Sequence, residues 1–174
     1  MNKTQQKIAA GLERAFAEHG FTELGVDGLR LAADVSLRTL YKYCPSKEAM
    51  IIMALEHRHS RYLAYLFEGL SGNRQQIADE LLNRVGRWMD ESVSEGCLFH
   101  NAVVSYPHSE PIRNLLEQHK TDVTEKMATV TQLVERRSTL LLIHEGIVQS
   151  WPILGVTAIE SAKALLIPLL SETD

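Results

Sequence analysis

The chain has 174 residues, of which 45% are hydrophobic and 23% are charged, and this composition excludes a disordered chain and a fibrous repeat. The formal net charge of −4 argues against nucleic-acid binding if the charge is evenly spread. Residues 1–50, however, carry seven Lys and Arg against six Asp and Glu, whereas residues 51–174 carry eleven against sixteen. Any contact with nucleic acid therefore depends on the local placement of a few basic side chains.

The cellular compartment is predicted from the cysteines and from what the apolar segments lack. Cys44 and Cys97 do not have the paired spacing of a disulfide framework. The first residues have no apolar core of a secretory signal, and no apolar run has the length of a membrane span. We therefore expect a cytoplasmic protein that makes no contact with the membrane.

Two helices are predicted before residue 34. Residues 3–19 place apolar side chains at helical spacing on one face and Lys7, Glu13, Arg14 and Glu18 on the other. Gly20 ends this helix. A second helix is expected from about Asp27, as its N-cap, to Ala33.

The segment from residue 29 to residue 48 has the pattern of two short helices joined by a tight turn. Asp34 occupies the turn, where a left-handed backbone conformation is needed, and Ser36 can cap the helix that follows. That helix directs Leu40 inward and leaves a polar surface that includes Arg38 and Lys42. Such an arrangement lays side chains into a groove of DNA.

The rest of the chain also has helical patterns. Ser46 is expected to cap a long helix that ends near residues 69–72, and further helices are expected over 74–95, about 98–105 and from Glu110 to Leu133. The last third is apolar around more of its circumference than one core requires, so its two helices are expected to dock with a second copy in a four-helix bundle. The expected interface residues are Ile147, Trp151, Ile159, Ala162 and Leu166.

Three segments resemble a known family. Residues 35–48, VSLRTLYKYCPSKE, and residues 16–21, FAEHGF, look like the recognition helix and the first-helix ending of TetR/AcrR-type transcriptional regulators. Residues 96–102, GCLFHNA, are a weaker match. The resemblance implies an all-α homodimer with a three-helix helix-turn-helix DNA-binding head, residues 1–46, and a larger helical ligand-binding and dimerisation body, residues 47–174. Double-stranded DNA with a palindromic operator and a small-molecule effector are the implied partners.

The resemblance also implies roles for individual residues. Its base-reading positions fall on Leu37, Arg38 and Thr39, and an Arg fork suits the O6 and N7 atoms of guanine. The remaining DNA-binding set is Ser36, Tyr41, Lys42, Tyr43 and Lys47, in which Tyr41 and Lys47 match positions that meet phosphate. The chain departs from the family pattern at four positions, which are Gly25, Arg30, Asp34 and Cys44.

Aromatic, Met and His residues of the body are candidates for an effector pocket, although such residues at helical spacing are more often core. The expected pocket residues are Tyr62, Trp88, Phe99, His119, Met127, His144 and Trp151. Neither His57 with His59 nor Cys97 with His100 has the spacing of a metal site, so no metal and no cofactor are expected.

An enzyme requires a nucleophile with a base, paired carboxylates or a glycine-rich phosphate loop, and only Cys97 near His100 comes close. The sequence therefore predicts a non-enzymatic, ligand-responsive regulator, most simply a repressor. The alternative is a helical homodimer that binds a small hydrophobic molecule or a protein partner and lacks useful DNA binding. The weak charge of the head and the departures at Gly25, Arg30 and Cys44 keep this alternative open.

Overall fold

The computed structural model describes residues 1–91 and 96–171. In these ranges the chain forms nine α-helices, one 3₁₀ turn at Val134–Arg136, and no strand. The helices are α1 (Lys3–His19), α2 (Val26–Ala33), α3 (Leu37–Tyr43), α4 (Lys47–Phe67), α5 (Arg74–Glu91), α6 (Leu98–Ser105), α7 (Glu110–Thr131), α8 (Arg137–Leu154) and α9 (Thr157–Ser171). The predicted all-α class is confirmed. The predicted extension of α5 over residues 92–95 lies outside the described residues.

The chain divides into two compact units. Unit 1 consists of residues 1–61 and 93–117, and unit 2 consists of residues 62–92 and 118–174. The helices α4 and α7 each begin in unit 1 and end in unit 2. The functional boundary expected after residue 46 stays a prediction, because compactness alone does not locate a DNA-binding domain.

In unit 1, α1 begins with a reciprocal cap. The Asn2 side chain accepts a hydrogen bond from the backbone N–H of Gln5 at 2.9 Å, and the Gln5 side chain accepts one from the N–H of Asn2 at the same distance. The helix ends at Gly20, as predicted, and the ring of Phe21 folds back to stack on Phe16 with 5.0 Å between centroids. This contact fixes where the chain turns towards α2.

The helices α1 and α2 approach each other at Gly11. A Cβ atom at this position would lie 2.4 Å from the carbonyl oxygen of Ala32 and 2.6 Å from the Cα of Ala33. Because both of these atoms belong to backbone, a larger residue could be accommodated only if α2 moved. The short α2 therefore depends on a glycine in the preceding helix for its position.

Two expectations about unit 1 are wrong. Asp27 lies in the first turn of α2, and Gly25 is the N-cap, with no side-chain hydrogen bond. Glu13 does not lie on a solvated face, because its side chain is only 3% exposed. The carboxylate accepts hydrogen bonds from His57 at 2.6 Å, Arg61 at 2.7 Å and Arg58 at 3.3 Å, and these three partners on α4 compensate the buried charge.

In unit 2, two arginines of α5 satisfy the carbonyl groups at the ends of other helices. Arg84 donates to the carbonyl oxygens of Tyr65, Leu66 and Glu68 at 3.2, 3.2 and 2.7 Å. Arg74 donates to the carbonyl of Thr131, the last residue of α7, at 2.7 Å. A cation at a helix C-terminus also complements the helix dipole, so α5 organises the ends of α4 and α7.

Candidate functional site

The segment from α2 to α3 has the geometry of a helix-turn-helix. Asp34 ends α2 with φ and ψ of 50° and 55°, so the predicted left-handed conformation is confirmed. The backbone N–H of Asp34 donates to Leu31, and the N–H of Val35 donates to Arg30, at 3.0 and 3.3 Å. These two bonds close the C-terminus of α2 and reverse the chain within three residues.

A basic residue of α1 stabilises this turn. The Lys7 ammonium lies 2.6 Å from the Asp34 carboxylate, and its hydrogen bond and its charge both lower the pKa of Asp34. This contact could not be predicted from the sequence, because the two residues are far apart along the chain and both are largely exposed. The only signal in the sequence is the pair of opposite charges, Asp34 at the turn and Lys7 on α1.

Ser36 caps α3, as predicted. Its Oγ accepts a hydrogen bond from the backbone N–H of Thr39 at 3.1 Å and lies 2.8 Å from the Thr39 hydroxyl. The Thr39 hydroxyl therefore already takes part in the helix cap, and the methyl group is the remaining part of this side chain. The cap fixes where α3 begins and hence which side chains face outward.

One face of α3 is exposed. Leu37, Arg38, Tyr41 and Lys42 recur at intervals of one, four and five positions and therefore share a side of the helix, and each is exposed. Leu40 on the opposite side is fully buried. The Lys42 ammonium lies 5.5 Å from the ring centroid of the half-buried Tyr43, a cation–π contact that keeps the lysine near the helix surface.

Lys47 differs from the other expected DNA contacts. It is half-buried, and its ammonium donates to the carbonyl oxygen of Leu24, in the loop before α2, at 2.9 Å. Ser46 caps α4 through the N–H of Ala49 at 3.1 Å, as predicted. Lys47 therefore connects the first turn of α4 to the segment from which α2 starts.

Cys44, where the family resemblance expects an aromatic residue, belongs to the core. Its side chain is fully buried, its sulfur lies 3.5 Å from the Met53 sulfur, and burial raises the pKa of the thiol to about 11. A thiol of this kind is inert at neutral pH. The replacement fills space under α3 without changing its exposed face.

In unit 2, four of the expected effector residues meet. The ring centroid of Tyr62 lies 5.0 Å from that of Trp88, 5.5 Å from that of His119 and 5.9 Å from that of His144. The Tyr62 hydroxyl is 2.7 Å from Nε2 of His144, whose Nδ1 is 3.1 Å from the Glu145 carboxylate. Lys120 completes this polar chain at 2.5 Å from Glu145.

The protonation states follow from these contacts. Burial alone would raise the pKa of Glu145, but the hydrogen bonds and charges of His144 and Lys120 lower it to about 2. Burial lowers the pKa of His144. At neutral pH the neutral imidazole therefore donates from Nδ1 to the carboxylate and accepts at Nε2 from the Tyr62 hydroxyl.

The other expected pocket residues are not in this ring cluster. Met127 is fully buried in unit 2, and Trp151 lies against α5, with its ring 3.5 Å from where a Cβ of Gly86 would be. Phe99 is buried in unit 1. In the described part of the chain, no group of three or more His, Cys, Asp or Glu side chains is arranged to hold a metal ion.

The expected dimer residues are mostly inside the chain. Ile147, Ile159, Ala162 and Leu166 are between 1% and 8% exposed, so their side chains pack within unit 2. The exposed side chains on the same two helices include Leu142, Ile153 and Leu165, at 73%, 86% and 63%. Among residues 1–91 and 96–171, no helix is both long and apolar enough to cross a bilayer.

The fold and the α2–α3 geometry define the class of an all-helical protein with a helix-turn-helix head. Residues 8–53 match the family model of bacterial regulatory proteins of the tetR family. No curated protein sequence matches the chain. Most of α1 and all of α2, the turn and α3 lie within the matched range, so the chain is similar to the tetR family over this helix-turn-helix head.

Solved structures give the same result for the fold. SCO4454, a TetR-family transcriptional regulator from Streptomyces coelicolor, superposes with a TM-score of 0.83 at 17% identity, over 98% of this chain and 90% of that one. The reduced form of E. coli NemR gives 0.78 at 20% identity, over 96% and 97%. GusR of Salmonella enterica gives 0.71 at 20% identity, over 97% and 95%. The chain has the fold of TetR-family transcriptional regulators.

Proposed function

We propose that the protein is a ligand-responsive DNA-binding transcriptional regulator, most simply a cytoplasmic repressor without catalytic activity. The observation that carries the proposal is the exposed face of α3, where Arg38 and Lys42 stand beside Leu37 and Tyr41 on a helix whose start is fixed by Ser36. A helix presented in this way, within a range that matches the family model, suits the major groove.

The side chains suggest a division of roles. The exposed Arg38 can reach the O6 and N7 acceptors of a guanine, whereas Leu37 and the Thr39 methyl can contact a thymine methyl. Ser36, Tyr41, Lys42 and Tyr43 supply hydroxyl and ammonium donors for phosphate. These contacts fix the register of α3 in the groove, and Arg38 contributes most of the sequence preference.

Lys47 is proposed to act mainly by position. Because its ammonium is bound to the carbonyl of Leu24, a phosphate would have to share or displace that acceptor. Removing Lys47 is therefore expected to loosen the loop before α2 and to weaken binding to all DNA sequences alike. Removing Arg38, in contrast, should relax the preference for one base pair.

Homodimerisation is proposed to use the outer faces of α8 and α9. On α8, Leu142, Gly146, Gln149 and Ile153 recur at intervals of three and four and are all exposed. On α9, the exposed residues Ser161, Ala164, Leu165 and Pro168 are small or apolar. Small side chains let helices approach closely, so two such pairs can form a four-helix bundle.

The dimer is tested with Leu165→Glu. This side chain is 63% exposed, so the variant should fold and yet run as a monomer in light scattering. Lys126→Glu, which places an acid at an exposed position of α7, is the control and should stay dimeric. Leu166→Glu is a poorer test, because Leu166 is 1% exposed and a buried charge would unfold unit 2. A dimeric Leu165→Glu protein would contradict the proposed surface.

The effector is proposed to act on the ring cluster of Tyr62, Trp88, His119 and His144. Tyr62 belongs to α4, the same helix whose first turn holds the loop before α2 through Lys47. An effector that displaces the Tyr62 hydroxyl from His144 would therefore act on a helix that is continuous with the head. Repression would be relieved when the spacing of the two recognition helices no longer fits successive major grooves.

The decisive experiment is selection of random DNA by the purified protein, followed by binding to the enriched site at several salt concentrations. We expect a palindrome, and we expect Arg38→Ala to weaken binding by about 10-fold or more. Lys126→Ala, which removes an exposed charge from unit 2, should leave the affinity unchanged. Failure to enrich any palindrome would favour the alternative of a helical homodimer without useful DNA binding.

A further inference from the structure

A groove in unit 2 lies outside the ring cluster and outside the proposed dimer surface. It runs between α5, α8 and α9, and its volume is about 380 Å³. Its apolar lining consists of Trp151, Val156, Ile159 and Gly86. This size is within the range of sites that take small organic molecules.

The floor of the groove depends on Gly86. A Cβ at this position would lie 2.9 Å from Cγ1 of Ile159 and 3.5 Å from the Trp151 ring, so the bare backbone of α5 allows both side chains to close against it. Trp151 is only half-buried, which leaves part of its indole open to the groove. The result is an aromatic and aliphatic surface with one open side.

The basic side chains at the rim of the groove form ion pairs, whereas two of its acidic side chains do not. Lys163 lies 2.7 Å from Asp79, and Arg87 lies 2.7 Å from Glu80, which also pairs with Arg84 at 2.8 Å. Asp90 and Glu160 also line the groove and are exposed, and neither side-chain carboxylate has a hydrogen bond or an ion pair with any residue that the structure describes. The rim therefore presents two carboxylates without an ion pair, and the four acids and three bases around the groove leave one net negative charge.

We propose that this groove binds an organic cation with an aromatic or bulky apolar body. Trp151 would attract the cation through the face of its indole, Val156 and Ile159 would cover the apolar body, and Asp90 and Glu160 would balance the charge. An anion of the same shape would meet a net negative charge and two carboxylates without an ion pair. The proposal goes beyond DNA binding and does not rest on it.

The groove stays accessible in the proposed dimer. Lys163 lies two positions from both Ser161 and Leu165, which places it about half a helical turn away from the face that is proposed to meet the second copy. Ile159 is buried against Gly86 of α5, and Glu160, four positions before Ala164, lies at the edge of the proposed dimer face. Binding can therefore be measured on the full chain in its ordinary oligomeric state.

The test compares two ions of the same shape and opposite charge. Binding of tetraphenylphosphonium and of tetraphenylborate is measured by isothermal titration calorimetry in the absence of DNA. We expect the cation to bind at least about 10-fold more tightly than the anion. The double variant D90N/E160Q should weaken cation binding about 10-fold, whereas Glu117→Gln, an exposed acid of unit 1, should leave it unchanged.

A further variant tests whether the cation binds against Trp151 in the groove. Trp151→Leu keeps an apolar side chain and should weaken cation binding about 5-fold, and its melting temperature is measured to confirm that it folds. Equal binding of the two ions, no binding of the cation, or an unchanged affinity in D90N/E160Q would overturn the proposal. Arg38→Ala should bind the cation as the unaltered chain does, so failure of the DNA proposal and failure of this one are distinguishable.

Discussion

The two units each bury a cluster of ionisable side chains, and they solve the problem of desolvation in different ways. In unit 1 one carboxylate, Glu13, is surrounded by His57, Arg58 and Arg61. In unit 2 the chain from Tyr62 through His144 to Glu145 places a neutral ring between a hydroxyl and an ion pair. In the first cluster three basic side chains compensate the Glu13 carboxylate, whereas in the second cluster the most buried side chain, His144, stays neutral.

The difference teaches which perturbation each cluster can tolerate. Arg61 is 53% exposed, so water still reaches the edge of the unit 1 cluster, and its energetics depend on the central carboxylate. His144 is 1% exposed, so its energetics depend on directed hydrogen bonds and on staying neutral. Removal of the Glu13 charge should therefore lower the stability of unit 1 most, and protonation of His144 should lower the stability of unit 2 most.

The largest effect is expected for Glu13→Gln. The variant removes the negative charge that lies 3.3 Å from the 8%-exposed Arg58, which should lower the free energy of unfolding by about 3 kcal/mol. Urea denaturation measures the loss as a shift of the midpoint at constant slope. Glu18→Gln removes an exposed charge from the same helix and should change stability little. A loss below about 1 kcal/mol for Glu13→Gln would mean that the cluster is solvated.

A smaller effect is expected for Tyr62→Phe. The change removes only the hydroxyl and leaves Nε2 of the buried His144 without its donor, which should cost about 1–2 kcal/mol. Thermal unfolding followed by circular dichroism measures it. Tyr41→Phe, on the exposed face of α3, is the matched control for the loss of a phenol. If both variants unfold at the same temperature, the bond to His144 contributes nothing.

A fall in pH should also weaken the hydrogen bond between Tyr62 and His144. His144 has a lowered pKa in the folded state, so the unfolded chain binds the proton first and stability falls as the pH drops below about 6.5. The groups that act on the ring are Tyr62 on α4, Lys120 on α7 and Glu145 on α8. Glu145, with a pKa of about 2, loses its contribution only below its ordinary value of 4.5.

This dependence is measured as the melting temperature between pH 7.5 and pH 5, values at which the carboxylate stays ionised. The variant His144→Asn should be less stable at neutral pH and should lose less stability on acidification than the unaltered chain. Parallel curves for the two proteins would show that another group causes the acid sensitivity.

The smallest effect is expected at the exposed turn. Asp34→Gly relieves a left-handed backbone conformation and gives up the ion pair with Lys7, and these changes oppose each other. Its melting temperature should be close to that of the unaltered chain. Asp34→Ala gives up the ion pair and keeps the unfavourable conformation, so it should melt at a lower temperature. A melting temperature of Asp34→Gly well below that of the unaltered chain would show that the ion pair is the more important of the two.

Features that depend on neighbouring residues were predictable from the sequence. The start of α3 at Ser36, the left-handed Asp34 and the burial of Leu40 follow from local rules for caps, turns and helix faces, and the structure has all three. The class of the fold followed from the helical spacing of apolar residues. The family resemblance relied on the same short segment, residues 35–48.

Features that depend on distant partners were not predictable. Glu13 was expected in solvent because the three groups that compensate it come from α4, more than 40 positions later. The partner of Lys47 is a backbone carbonyl, which no side-chain pattern reveals. The side of α8 and α9 that faces outward is decided by the packing of α5 against them, so Leu165 and Leu166 could not be told apart.

The close approach at Gly11 has a consequence for comparing sequences. Because any side chain at position 11 would meet the backbone of Ala32 and Ala33, the residue constrains a position twenty residues later in the chain. Among related sequences, glycine at this position should accompany a small residue at positions 32 and 33. A sequence with a larger residue there should carry α2, and with it the turn and α3, at a different angle to α1, and hence a recognition helix with a different entry into the groove.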